Sequence, residues 1–144
     1  MILVEQLHAA APSADSVADP LVLTWEERAK TRQKLATRDG REVAIKLPTG
    51  TRLPPGTVLH VGDGFHVVVE AAVEDVWVVH SHHAHTLALV AYEIGNRHFP
   101  ICIGEDSVAV LYDHTLNELW ERLAVTAHPA QQPFLSEQRP THNH

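Results

Sequence analysis

The chain has 144 residues, 44% hydrophobic and 20% charged, with a formal net charge of −7. That is enough apolar material to bury a core, and it excludes a disordered tail protein. No run approaches the roughly 20 apolar residues of a membrane helix, and Met1-Ile2-Leu3-Val4-Glu5 lacks the basic patch and long apolar run of a secretory signal, so a soluble, cytoplasmic protein is expected.

The lone cysteine, Cys102, excludes an internal disulfide or thiolate cluster, and its place between Ile101 and Ile103 predicts a buried, inert thiol. Charge is unevenly spread. Residues 1–72 sum to −1, whereas residues 73–144 sum to −6 and contain only Arg97, Arg122 and Arg139 as cations. Nine of the twelve histidines fall in that acidic second half. A negative field with almost nothing to neutralise phosphate argues against nucleic acid as a partner. Imidazole nitrogen in such a field suits a first-row metal cation.

The first half is punctuated by turn chemistry. Thr24 and Glu27 match a capping box and predict one helical turn before Lys34. Asp39-Gly40 separates a strand near 33–37 from one at 42–47, and Asp63-Gly64 separates 57–60 from 65–71, which predicts two hairpins. Pro48-Thr49-Gly50 and Pro54-Pro55-Gly56 forbid a long helix between them. Residues 1–73 therefore read as a small all-β domain.

The period then changes. Val76 to Val79 reads as a buried strand, followed by a helix N-capped by Ser81 and stopped by Gly95 at C′, with Leu87, Val90, Ala91 and Ile94 on one face. That stop throws His98 onto the rim between helix and strand. Phe99 to Ile103 and Ser107 to Tyr112 flank Gly104-Glu105-Asp106 as a hairpin. Asp113 caps a second helix carrying Leu116, Leu119, Trp120 and Leu123, and Val125 to His128 form a last strand ending at Pro129. Trp77 and Trp120 fit the apolar patterns as core residues. The order strand, helix, strand, strand, helix, strand over 74–128 predicts a ferredoxin-like βαββαβ domain in an α+β chain. Pro129, Pro133 and Pro140 predict a mobile tail over 129–144, ending His142-Asn143-His144.

The block Ala91-Tyr92-Glu93-Ile94-Gly95-Asn96-Arg97-His98-Phe99-Pro100, followed by Tyr112-Asp113-His114, resembles the UreE family of urease accessory nickel metallochaperones. Asp39-Gly40-Arg41-Glu42-Val43, Leu47-Pro48-Thr49-Gly50 and Gly56-Thr57-Val58-Leu59 add to the resemblance, which covers residues 20–125. It implies an N-terminal peptide-binding-like β domain and a C-terminal metal domain that pairs as a homodimer. It further implies that His98 is the metal ligand near the two-fold axis, meeting its symmetry mate.

His114 is retained from the family's accessory positions, while Glu93 and Tyr112 stand where some relatives have histidine. Histidines at the C-terminus are common in the family, here His142 and His144, and tethering would let them add ligands at high effective concentration. The implied cargo is Ni²⁺, with Zn²⁺ or Cu²⁺ as alternatives in vitro. The implied receiver is the urease accessory GTPase of the urease maturation complex.

One cluster lies outside the resemblance. His80, His82, His83 and His85 approach the H-x-H-x-D-H ligand run of the metallo-β-lactamase superfamily, with Ala84 where that motif has aspartate. A truncated zinc hydrolase using His80, His82 and His85 is the enzymatic rival reading, and a protein-binding module with incidental histidines is the other. His82 and His85, spaced i, i+3, could chelate a surface ion. The chain has no H-E-x-x-H, phosphate loop or nucleophile elbow, so catalysis is not expected.

Overall fold

In the computed structural model, which describes residues 1–7 and 11–136, the chain divides between Ala72 and Val73 into two units. The first contains β1 (Ile2–Val4), β2 (Val17–Leu23), β3 (Arg32–Ala36), β4 (Glu42–Lys46), β5 (Val58–Val61) and β6 (Phe65–Ala71). They form two three-stranded sheets, β1-β4-β3 and β2-β6-β5. Alternation along the strands sends Val4, Val43 and Ile45 from one sheet, and Leu21, Leu23, Leu59, Val67 and Val69 from the other, into a single buried cluster.

Both expected hairpins are present, β3–β4 across Asp39-Gly40 and β5–β6 across Asp63-Gly64. Gly40 has φ +90°, the left-handed conformation that such a turn needs. The parallel pairings β1–β4 and β2–β6 were not expected, because no local turn announces a partner so distant in sequence. Thr24 and Glu27 close the capping box reciprocally, at 3.0 and 3.1 Å, over a 3-10 turn at Glu27–Ala29.

Asp19 is fully buried in β2 and is the main polar tie of this unit. It accepts from Thr37 Oγ1 at 2.6 Å, Arg41 Nη1 at 2.7 Å and the Asp39 N–H at 3.0 Å, so it pins β2 to the β3–β4 hairpin. Burial pushes its carboxyl pKa up. The hydrogen bonds from Thr37, Arg41 and Asp39, with the Arg41 charge, outweigh burial and hold it below the ordinary value. The Arg41 guanidinium also lies 3.8 Å from the centre of the Phe65 ring. A cavity of about 380 Å³ opens beside the β1 and β5 edges, lined by Leu3, Val4, Leu59, His60 and Val61 among others.

The second unit contains β7 (Val73–His80), α1 (Ala84–Asn96), β8 (Ile101–Ile103), β9 (Ser107–Leu111), a 3-10 turn (His114–Leu116) running into α2 (Asn117–Leu123), and β10 (Ala127–Pro133). Its strands form one antiparallel sheet in the order β10-β7-β9-β8. Trp77, Val79, Ile101, Val108 and Val110 share a core with Val90 and Ile94 of α1 and with Leu119 and Trp120 of α2, so both tryptophans are core residues as expected. No described helix is long and apolar enough to cross a membrane.

Four expectations are corrected. Ser81 is not the N-cap: its Oγ accepts from the His83 N–H at 3.1 Å, and His83 takes the N-cap position without a side-chain cap. Gly95 does not end α1, which continues through Asn96. Cys102 is half-buried rather than buried, because β8 is an edge strand.

The fourth concerns the tail, which was expected from Pro129. Instead β10 runs through Pro129 to Pro133, pairing residue for residue with β7 from Ala127↔Val79 to Pro133↔Val73. An edge strand tolerates proline because its outward N–H has no ladder partner to lose. Beyond it Phe134 is fully buried, and Ser136 Oγ donates to the Ile101 carbonyl at 2.6 Å. The chain thus leaves the β10 edge and reaches the β8 edge of the same sheet before residue 137.

Candidate metal site

His98 owes its position to the way α1 ends. Its N–H donates to the Gly95 carbonyl at 3.0 Å, and the Phe99 N–H donates to the Ile94 carbonyl at 3.4 Å. These are the two bonds of a Schellman motif, with Phe99 packing against the core that holds Ile94. The motif needs a left-handed residue at C′, and that residue is His98, with φ +64°. Glycine is usual there; histidine is among the few side chains enriched in that conformation. The imidazole is therefore exposed beside the negative end of the α1 dipole, where a cation is favoured.

The same helix end carries a feature that spacing only half reveals. Arg97 Nη1 and Arg122 Nη2 both bond Glu93 Oε2, each at 3.0 Å, and Arg97 Nη1 also reaches the Glu93 carbonyl at 3.1 Å. The i, i+4 pair of Glu93 and Arg97 was legible in the sequence; Arg122, brought in by α2, was not. Glu93 is thereby committed to two guanidiniums and is not a free ligand. These are also both of the cations among the described residues of the second unit.

His114 is exposed at the start of the 3-10 turn. Asp113, expected to cap the second helix, caps instead the 3-10 turn that leads into it, accepting on Oδ1 from Thr115 Oγ1 at 2.6 Å and the Thr115 N–H at 2.9 Å, while Leu116 takes the N-cap position of α2. The hydroxyl and then the amide hold the Asp113 carboxyl below its ordinary value. Tyr112 stacks on Trp77, with ring centres 4.8 Å apart. His142 and His144 lie outside the described residues.

Among the described residues no three His, Cys, Asp or Glu side chains converge on a point that could hold a metal. His98 and His114 therefore do not complete a three-ligand set from one copy, and neither do His80, His82 and His85, against the hydrolase reading. His82 precedes the helix, so the i, i+3 chelate with His85 is also corrected.

Comparison with known proteins decides the family. The N-terminal domain model of the UreE urease accessory protein matches residues 3–72, and its C-terminal domain model matches residues 74–144. The chain belongs to the UreE family. It is 40% identical over 127 residues to the urease accessory protein UreE of Cupriavidus necator, covering 88% of this chain and 66% of that one. It is 39% identical over 134 residues to that of Alkalilimnicola ehrlichii, covering 93% and 80%. With that of Paraburkholderia xenovorans, identity is 38% over 127 residues, covering 88% and 56%. The chain thus spans between about half and four-fifths of the length of these UreE relatives.

Proposed function

We propose that this chain is a cytoplasmic nickel carrier rather than an enzyme, which binds Ni²⁺ through His98 of two copies and delivers it for assembly of the urease active site. The observation that carries the reading is His98 itself: exposed, fixed by its own backbone at the end of α1, and without enough neighbouring ligands among the described residues to close a site within one copy. A lone fixed imidazole becomes half of a site when a second copy brings its equivalent across a two-fold axis. His98 then belongs to the dimer, and the second unit is the dimerising domain. The β10-β7-β9-β8 order with the βαββαβ sequence supports assigning that unit a ferredoxin-like fold, extending past 128 to Ser136.

His142 and His144 supply further ligands in this reading. Ser136 is bonded to Ile101, three residues after His98, and His142 follows Ser136 by six residues. An extended segment of that length reaches about 20 Å, enough to return to His98. Such ligands add to capture without a preformed cage, which suits a carrier that must release its cargo. His114 is an accessory ligand at the surface. The receiver is the urease accessory GTPase within the maturation machinery, and the cavity beside β1 and β5 is where the first unit would accept a partner's extended segment.

The test is equilibrium dialysis against Ni²⁺ with the full chain and with His98→Ala. The tightest site disappears in the variant while far-UV circular dichroism and dimerisation are unchanged, since the exposed ring fills no core space. Undiminished tight binding by His98→Ala sinks the reading.

A further inference from the structure

The histidines at the opposite end of α1 are the largest group of free metal-ligating side chains that the carrier reading does not use. His80 ends β7, His82 lies in the connecting loop, His83 is the N-cap of α1 and His85 is in its first turn. All four are exposed, and none of their imidazole rings has a hydrogen bond or ion pair among the described residues. The loop is not free to wander. The Ser81 N–H donates to the Asp106 carbonyl at 3.0 Å, Ser81 Oγ accepts from the His83 N–H, and His80 is paired with Ser107 across β7 and β9. These bonds bring the histidine loop against the β8–β9 turn, which adds the exposed carboxylates of Glu105 and Asp106, unpaired among the described residues.

We propose that His80, His82, His83 and His85, with Glu105 and Asp106 beside them, form a second capture site for a divalent first-row transition cation. It is separate from His98. The 13 residues of α1 put roughly 20 Å between the two ends of the helix, too far for one ion to be shared within a chain.

Charge decides between a cation and an anion here. The start of a helix by itself favours an anion. Against that stand two adjacent carboxylates and the absence of a nearby guanidinium or ammonium among the described residues of this unit. Arg97 and Arg122, the described cations of this unit, are tied to Glu93 at the far end of α1. Neutral imidazoles beside carboxylates make a borderline donor set, which takes Cu²⁺, Ni²⁺ or Zn²⁺ in preference to Mg²⁺ or Ca²⁺.

The side chains do not converge as they stand. Binding draws them together by rotamer changes that their exposure leaves open, so this is an adaptable site of the kind that loads and unloads readily. It stays available when the paired His98 site is filled.

The test uses the full chain with His98, His114, His142 and His144 all changed to alanine, titrated with CuCl₂ and NiCl₂ by calorimetry. This background retains a binding event. Adding His80→Gln, His82→Gln, His83→Gln and His85→Gln abolishes it. Amide spectra of that same four-alanine background give a second readout, and their dispersion shows that it is folded: substoichiometric Cu²⁺ broadens residues 80–85 and 104–107 together. Absence of binding in the background, survival of binding without the four histidines, broadening confined to residues 95–100, or binding of inorganic phosphate in place of the cations would each overturn the second site. Loss of the His98 site alone would leave it standing.

Discussion

Histidine at the left-handed C′ position of a helix is held there at a conformational cost that glycine would not incur, and His98 is such a residue. Stability and metal binding at this position should therefore separate. His98→Gly is expected to raise stability by up to about 1 kcal/mol over His98→Ala, whose Cβ keeps the strain, while both lose nickel. Denaturant midpoints measured beside dialysis check this, and equal midpoints would mean that the φ of His98 carries no strain.

Asp19 makes the complementary case, a residue that serves stability alone. Asp19→Ala removes the three bonds from Thr37, Arg41 and Asp39 and should cost about 2 kcal/mol. Its carboxyl pKa is lowered on folding, so the contribution is complete above the ordinary value of 3.8 and is lost as pH falls below that through the folded value. Urea melts of parent and variant should thus converge in acid and stay apart at neutral pH. A gap that persists unchanged to low pH contradicts the assignment.

Among the elements, β10 is the one whose extent matters most for how the chain can be cut. Read as a tail from Pro129, residues 129–136 would be dispensable; paired along β7 and ending in buried Phe134, they are part of the sheet. Truncation after 128 should expose the β7 edge and empty the space of Phe134, leaving the second unit unable to fold stably. Truncation after 136 should leave its melting temperature unchanged. Phe134→Ala isolates the packing part and should cost about 3 kcal/mol or more. Thermal denaturation followed at Trp77 and Trp120, which report on the same unit, distinguishes these outcomes.

For the whole molecule, a site divided between two copies ties metal affinity to protein concentration. Sedimentation at protein concentrations spanning dimer dissociation should show Ni²⁺ shifting the population toward dimer, and apparent affinity falling on dilution. His98→Ala should dimerise with no response to the metal. Affinity independent of dilution, down to clear monomer, would contradict a shared site.

The sequence alone settled what local chemistry can settle. Asp-Gly turns located two hairpins, the Thr24–Glu27 pair located a turn, and a change of hydrophobic period at the middle of the chain marked the second unit. The Gly-Asn-Arg-His block led to the family. What failed were inferences that turned on a partner distant along the chain. Gly95 has the right residue type for a helix stop, but Phe99 packing on the core moves the Schellman turn three residues on and makes His98 the left-handed residue. Pro129 has the right type to end a strand, yet an edge position beside β7 removes the penalty. Asp19 gives no local sign that it is buried, and Glu93 none that Arg122 of another helix holds it. Turns and caps are energies of a few neighbouring residues, so they can be read in order; edges, burial and shared carboxylates exist only once the sheet has closed.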